Sequence, residues 1–250
     1  MPVGRGSIMF NRQLSISMFN NIKAIAFDFG GTIDTPFLHW MQVYIQVYNS
    51  YLHLNLTSEN FRNAYVYAER EMERLQCVKP KDGFLATQRY KTHLQFESLC
   101  QQGLVATTLA VKLAEQAAQL VTTYAQNQVQ ANKSVLQQLA EHYPLLLVSN
   151  FYGNLRQVVA GAGILPLFQS ITDSTIVGIR KPDPGIWQLA IKEQGYLPAE
   201  VLVIGDSYKN DIAPALSIGC PVVHGCASEK DNRPDIPTIQ SLQELPSFLL

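Results

Sequence analysis

Four short stretches end apolar runs on residues that can do chemistry. "AIAFDFGGTID" (24–34) places Asp28 after an apolar run and follows it with a nearly bare turn. "LLLVSN" (145–150) ends in Ser149 and Asn150, and "GIRKPDP" (178–184) holds Lys181 in a proline-rich turn. "VLVIGDSYKND" (201–211) ends in Asp206, with Asp211 five residues on. If these runs are neighbouring parallel strands, three carboxylates, a hydroxyl and a lysine meet at one sheet edge. Carboxylates that close repel one another unless a cation joins them. An all-oxygen ligand set suits Mg²⁺. An aspartate so placed can attack phosphorus, giving an aspartyl-phosphate. The metal and the lysine would stabilise charge on the phosphoryl oxygens, and the glycines would admit backbone N–H groups to them.

The elements that must position these residues are readable. Apolar runs at 22–27, 144–149, 170–174, 201–206 and 220–225 are short and mostly rich in branched residues. They lack polar alternation, so they read as buried parallel strands. Helical stretches lie between the later ones: "GNLRQVVAGAG", "DPGIWQLAIKEQGY", with Pro184 near its first turn and Gly195 at its end, and "YKNDIAPALSIG", with Ile212, Ala215 and Leu216 on one face. The alternation predicts an α/β fold, a doubly wound Rossmann-like parallel sheet. About 110 residues separate the first two strands, far more than a crossover needs. Phe61, Ala64, Tyr65, Ala68, Met72 and Leu75 recur at helical spacing, 106–130 is rich in Ala, Leu and Gln, and "VKPKDGF" (78–84) reads as a loop. The expected organisation is an N-terminal extension over 1–20, a core formed by 21–35 and 143–250, and an inserted helical domain over 36–142.

Bulk properties narrow the function. The 250 residues are 47% hydrophobic and 16% charged, with a formal net charge of −1. That balance gives no basic excess for nucleic acid and no strong field toward an anionic surface. No apolar stretch is long enough to span a bilayer. Cys77, Cys100, Cys220 and Cys226 form no CxxC pair, which leads us to expect reduced thiols in a cytoplasmic protein. "GAG" (161–163) lacks the third glycine of a dinucleotide fingerprint.

The chain resembles the haloacid dehalogenase (HAD) superfamily. Its four motifs appear in order as "FDFGGTID", "LVSN", "RKPDP" and "GDSYKND", and the insertion is similar to that superfamily's C1-type cap. The resemblance implies Asp28 as nucleophile and Mg²⁺ ligand, the Gly30 carbonyl as a further ligand, and Gly31 and Thr32 as phosphate holders. It also implies Ser149 and the backbone at Asn150 as the phosphate-binding second motif. Lys181 would pair with Asp28 and the phosphate, Asp206 would bind the metal directly, and Asp211 would complete or orient its shell. The partner implied is a small phosphorylated metabolite, for a monomer or homodimer.

One position departs from that pattern. Phosphatases of the superfamily usually carry a second aspartate where this chain has Gly30, and general acid–base help is worth about 10²–10⁴ in rate. Asp34 is not an obvious substitute, since an aspartate there fits capping or hinge hydrogen bonding. Four readings follow: substrates with good leaving groups, an acid from elsewhere, a phosphometabolite-binding protein without turnover, or a haloacid dehalogenase. The last is disfavoured because dehalogenation needs no metal, yet Asp206 and Asp211 are both kept. Two further features have bland readings. Arg62, Arg70, Arg74, Lys79, Lys81, Arg89 and Lys91 read as a solvated helix face balanced by Glu59, Glu69, Glu71 and Glu73, and His39 and Trp40 read as hinge packing.

Overall fold

A computed structural model describes residue 19, residues 21–228 and residues 235–250. Six strands form one parallel sheet: β1 (Ala24–Phe27), β2 (Leu145–Ser149), β3 (Phe168–Asp173), β4 (Val201–Gly205), β5 (Val222–Gly225) and β6 (Thr238–Ile239). Their spatial order is β3-β2-β1-β4-β5-β6, the doubly wound α/β arrangement that the sequence predicts. The side-chain period of two explains the unbroken apolar runs. Ile25, Phe27, Leu145, Leu147, Leu202 and Ile204 fill the core on one face, while Ala24, Ala26, Leu146, Val148, Val201 and Val203 fill the other. A strand buried on both faces has no polar side to show.

The chain leaves β1 toward β2 and β3 and returns across it to β4, so the order reverses between β1 and β4. Register pairs Phe27 with Leu147 on one side and Ile204 on the other. Asp28 and Asp206 therefore leave neighbouring strand ends at this switch point, where α/β sheets bind ligands.

Four helices lie between β1 and β2: α1 (Trp40–Leu52), α2 (Ser58–Leu75), α3 (Phe84–Gln101) and α4 (Thr107–Ala140). Thr57 caps α2 through a reciprocal capping box with Asn60. Phe61, Ala64, Ala68 and Met72 are buried as their spacing predicts, while Leu75 is exposed. Two cores share α4. Ala114, Ala117 and Val121 pack among the inserted helices, whereas Val129, Val135, Leu136 and Leu139 pack against the sheet. Its Asn132 Nδ2 donates to the Ile33 carbonyl at 2.9 Å.

After β2 come α5 (Leu155–Gly161), α6 (Ser174–Val177) and α7 (Gly185–Glu193). The stretch expected as one helix from Tyr208 is a π-helical turn, Tyr208–Ile212, followed by α8 (Ala213–Ser217). Ile212 and Ala215 are buried, but Leu216 is turned to solvent because the short α8 ends one residue later. The final helix is α9 (Pro246–Leu249). Strand β6 was not anticipated, since two residues show no period.

The expectation for residues 1–20 lies outside the described residues apart from Phe19, whose ring is buried in the sheet-side core. All four cysteines are free thiols. Among the described residues no helix is long and apolar enough to cross a membrane.

The shared helix gives a stability contrast. Leu136→Ala, at a fully buried position of α4, should cost about 2–5 kcal/mol in denaturant unfolding, and Leu109→Ala, on its exposed face, less than about 0.5 kcal/mol.

Candidate active site

All nine residues singled out from the sequence come to the switch point. Lys181 is the hub. Its Nζ donates to Asp28 Oδ1 at 2.6 Å and to Asp211 Oδ1 at 2.7 Å, and it lies 4.5 Å from the centre of the Trp187 ring. Asn150 sets the backbone beneath it: Lys181 N–H donates to Asn150 Oδ1 at 2.9 Å, and Asn150 Nδ2 to the Lys181 carbonyl at 3.0 Å. Ser149 Oγ donates to Asp28 Oδ1 at 3.1 Å. The Thr32 hydroxyl is shared between Asp28 Oδ2 and Asp206 Oδ1, at 3.3 Å each, and accepts from the Asp206 N–H at 3.1 Å. The π-helical turn carries Asp211 back so that its Oδ2 accepts from Ser207 N–H at 3.1 Å.

Two glycines make this convergence possible. A Cβ on Gly31 would lie 2.6 Å from the Asp206 carboxylate, and its φ of +103° suits no other residue well. A Cβ on Gly205 would lie 2.5 Å from the Asp211 Cβ. At Gly30 there is room, the nearest atom being Trp40 Nε1 at 3.8 Å.

Ligand oxygens of Asp28, Asp206 and Asp211 lie within 4.8 Å of one another. Burial raises Asp206 well above the carboxylate range, and the charges of Asp28 and Asp211 add to this. Burial also pushes Asp211 up to about 6, the Asp28 charge helping and Lys181 opposing. Lys181 is raised against the effect of its own burial by Asp211 and Asp28. One lysine thus faces three carboxylates. Hard oxygens only, with surplus negative charge, fit Mg²⁺. Asp28, Asp206 and Asp211 would hold it, and Gly30, whose carbonyl the resemblance implies, lines the same cavity.

Asp34 makes the hinge hydrogen bonds expected of it, but from a buried place. It is buried beside the site, with Oδ1 accepting from Gly31 N–H at 2.7 Å and Oδ2 from Trp40 Nε1 at 3.1 Å. The Gly31 N–H, expected to face phosphate, is directed to Asp34 instead. Burial pushes the Asp34 carboxyl up to about 7 against that hydrogen bond, and the Asp28 charge adds to the shift.

A cavity of about 200 Å³ opens onto Asp28. His39 and Trp40 line it rather than merely packing a hinge. The basic run divides. Arg74 pairs with Glu71 and Arg89 with Glu115 at the surface, as a solvated face should. Lys91 does not: it is buried, pairs with Glu69 at 2.7 Å, and lines the cavity with Tyr65 and Arg180.

If the site holds Mg²⁺, a proton on Asp211 competes with the ion below about pH 6. Calorimetric Mg²⁺ affinity should weaken about fourfold from about pH 7.5 to about pH 5.5, and Asp206→Asn should abolish binding.

Comparison with known proteins agrees with the fold. A haloacid dehalogenase-like hydrolase domain-containing protein 3 of Danio rerio is 34% identical over 110 residues, 41% of this chain and 44% of that one. A phosphoglycolate phosphatase of Thiobacillus denitrificans is 40% identical over 65 residues, 26% of this chain and 28% of that one. The chain thus matches less than half the length of these curated relatives. A solved haloacid dehalogenase-like family hydrolase from Xanthomonas campestris shares the fold with a TM-score of 0.58 at 13% identity, covering 91% of this chain and 90% of that one. The haloacid dehalogenase-like hydrolase family model matches residues 22–219, the span that contains all four motif strands, and the chain belongs to that family.

Proposed function

We propose that the protein is a Mg²⁺-dependent phosphatase of small phosphorylated metabolites, with Asp28 as nucleophile. The observation that carries this reading is the buried Lys181 bridge from Asp28 to Asp211, beside Asp206, at the floor of a small cavity. Attack on a carbon–halogen bond needs no metal, so the retained cluster of three aspartates favours phosphorus over carbon. A phosphatase among the relatives supports the same choice.

When bound, Mg²⁺ supplies positive charge to the carboxylates and to the phosphoryl oxygens. Lys181 and Ser149 fix the Asp28 carboxylate and offer donors to the phosphoryl group. An Asp28 oxygen forms the bond to phosphorus, the bond from phosphorus to the leaving oxygen breaks, and its electron pair goes to that oxygen. Asp34 holds the proton that the leaving oxygen takes. It lines the cavity on the side Gly30 leaves open, through Trp40, and is half protonated near pH 7. Water then attacks the aspartyl-phosphate, giving a proton back to Asp34 and releasing phosphate. Helices α1 to α4 act as the cap that covers the cavity and excludes water. A binding protein without turnover would use the same pocket, favoured only by the missing carboxylate at Gly30.

Asp28→Asn should abolish phosphate release from acetyl phosphate, aryl phosphates and alkyl phosphates alike. Asp34→Asn should lower alkyl phosphate turnover about 10²–10⁴-fold while sparing substrates whose leaving groups need no proton. Gly30→Asp, for which there is space, should restore alkyl turnover in that variant. No phosphate release across the whole panel, with Mg²⁺-dependent ligand binding retained, would select the binding protein instead.

A further inference from the structure

The wall of the cavity away from Asp28 carries an ion pair that neither the fold nor phosphoryl transfer requires. Lys91 of α3 donates from Nζ to Glu69 Oε1 of α2 at 2.7 Å, and Glu69 Oε2 accepts from the Tyr152 hydroxyl at 2.7 Å. Lys91 Nζ also lies 4.8 Å from the centre of the Tyr152 ring. The lysine side chain is only 8% exposed. Burying such a pair gains little over apolar packing, so stability does not account for it. Arg180, from the turn before Lys181, lines the same cavity, and its charge and that of Lys91 both lower the Glu69 carboxyl, overcoming the effect of burial.

Donor accounting decides what this wall can read. Each Glu69 oxygen already accepts one hydrogen bond, and the Lys91 and Arg180 charges on the same wall repel an ammonium group. Lys91 has three N–H donors and spends one on Glu69. The charged side chains lining the cavity apart from the aspartates and Lys181 are Lys91, Arg180 and Glu69, which leaves one positive charge in excess.

We propose that Lys91 and Arg180 form a subsite for a carboxylate on the leaving group, with Glu69 and Tyr152 holding Lys91 in place. The preferred substrates are then small phosphate esters that carry a carboxylate. This rests on the phosphatase reading and deepens it, since it names the substrate class of the same cavity.

Three esters of similar size separate the chemistries: phosphoglycolate, phosphoethanolamine and 2-hydroxyethyl phosphate. Each is measured for kcat/KM, and for binding to the Asp28→Asn protein by calorimetry with Mg²⁺ present. The carboxylate ester should be preferred over the other two by about 10- to 100-fold, chiefly through KM. Lys91→Met leaves the half-buried Glu69 without its partner, so the double variant Lys91→Met/Glu69→Gln, which removes both charges, is made beside it and checked for folding by circular dichroism. In the double variant, which keeps Arg180, the preference should fall, and adding Arg180→Gln should bring it to unity. Equal use of the three esters by the unaltered protein, or a preference that survives in the triple variant, overturns the subsite. Selective binding of phosphoglycolate with no turnover of any ester upholds the subsite and overturns the catalytic reading.

Discussion

Three carboxylates crowd around one buried lysine at the end of a parallel sheet, and that crowding governs the architecture near it. Like charges at this separation, out of water, are costly. Lys181 offsets part of the cost by touching two of the three aspartates. The remainder appears as the weakened acidity of Asp206 and Asp211, which a divalent cation would relieve. The backbone yields to this cluster: Gly31 and Gly205 leave out the side chains that would collide with it, and the π-helical turn swings Asp211 into reach. These local departures from regular structure serve one electrostatic demand.

Much of this was legible in the sequence because it is written in short range. Strands buried on both faces announce themselves as apolar runs, and the reactive residues sit at their ends. What escaped depends on contacts between distant segments. Lys91 and Glu69 read as ordinary members of a charged helix face; only the packing of α2 on α3 turns that pair inward. Helix α3 buries Thr87, Gln88, Thr92 and Gln95, so no apolar stripe marks its inner face. Composition marked α4 as helical but not that its last turns belong to the sheet-side core. Asp34 was legible as a hinge hydrogen-bonding residue, and it is one, but burial beside Asp28 is a property of the fold.

Gly30 and Asp34 are best understood together. The turn that omits a carboxylate at one position supplies another four residues later, where it also ties the Gly31 backbone to the indole of Trp40. Trp40 opens α1, so the protonation of Asp34 and the seating of the first inserted helix share one hydrogen-bonded unit.

The continuity of α4 has a mechanical consequence. The inserted helices join the sheet domain by two connections of unequal stiffness. One is the short loop that carries Phe37, in a left-handed conformation against Gly225. The other is a single rod of 34 residues with one end among the inserted helices and the other bedded against the sheet. A loop yields to torsion, whereas a helix transmits it. Asn132 of the rod grips the Ile33 carbonyl two residues past Gly31, so a tilt of the rod would be passed directly to the turn that follows Asp28.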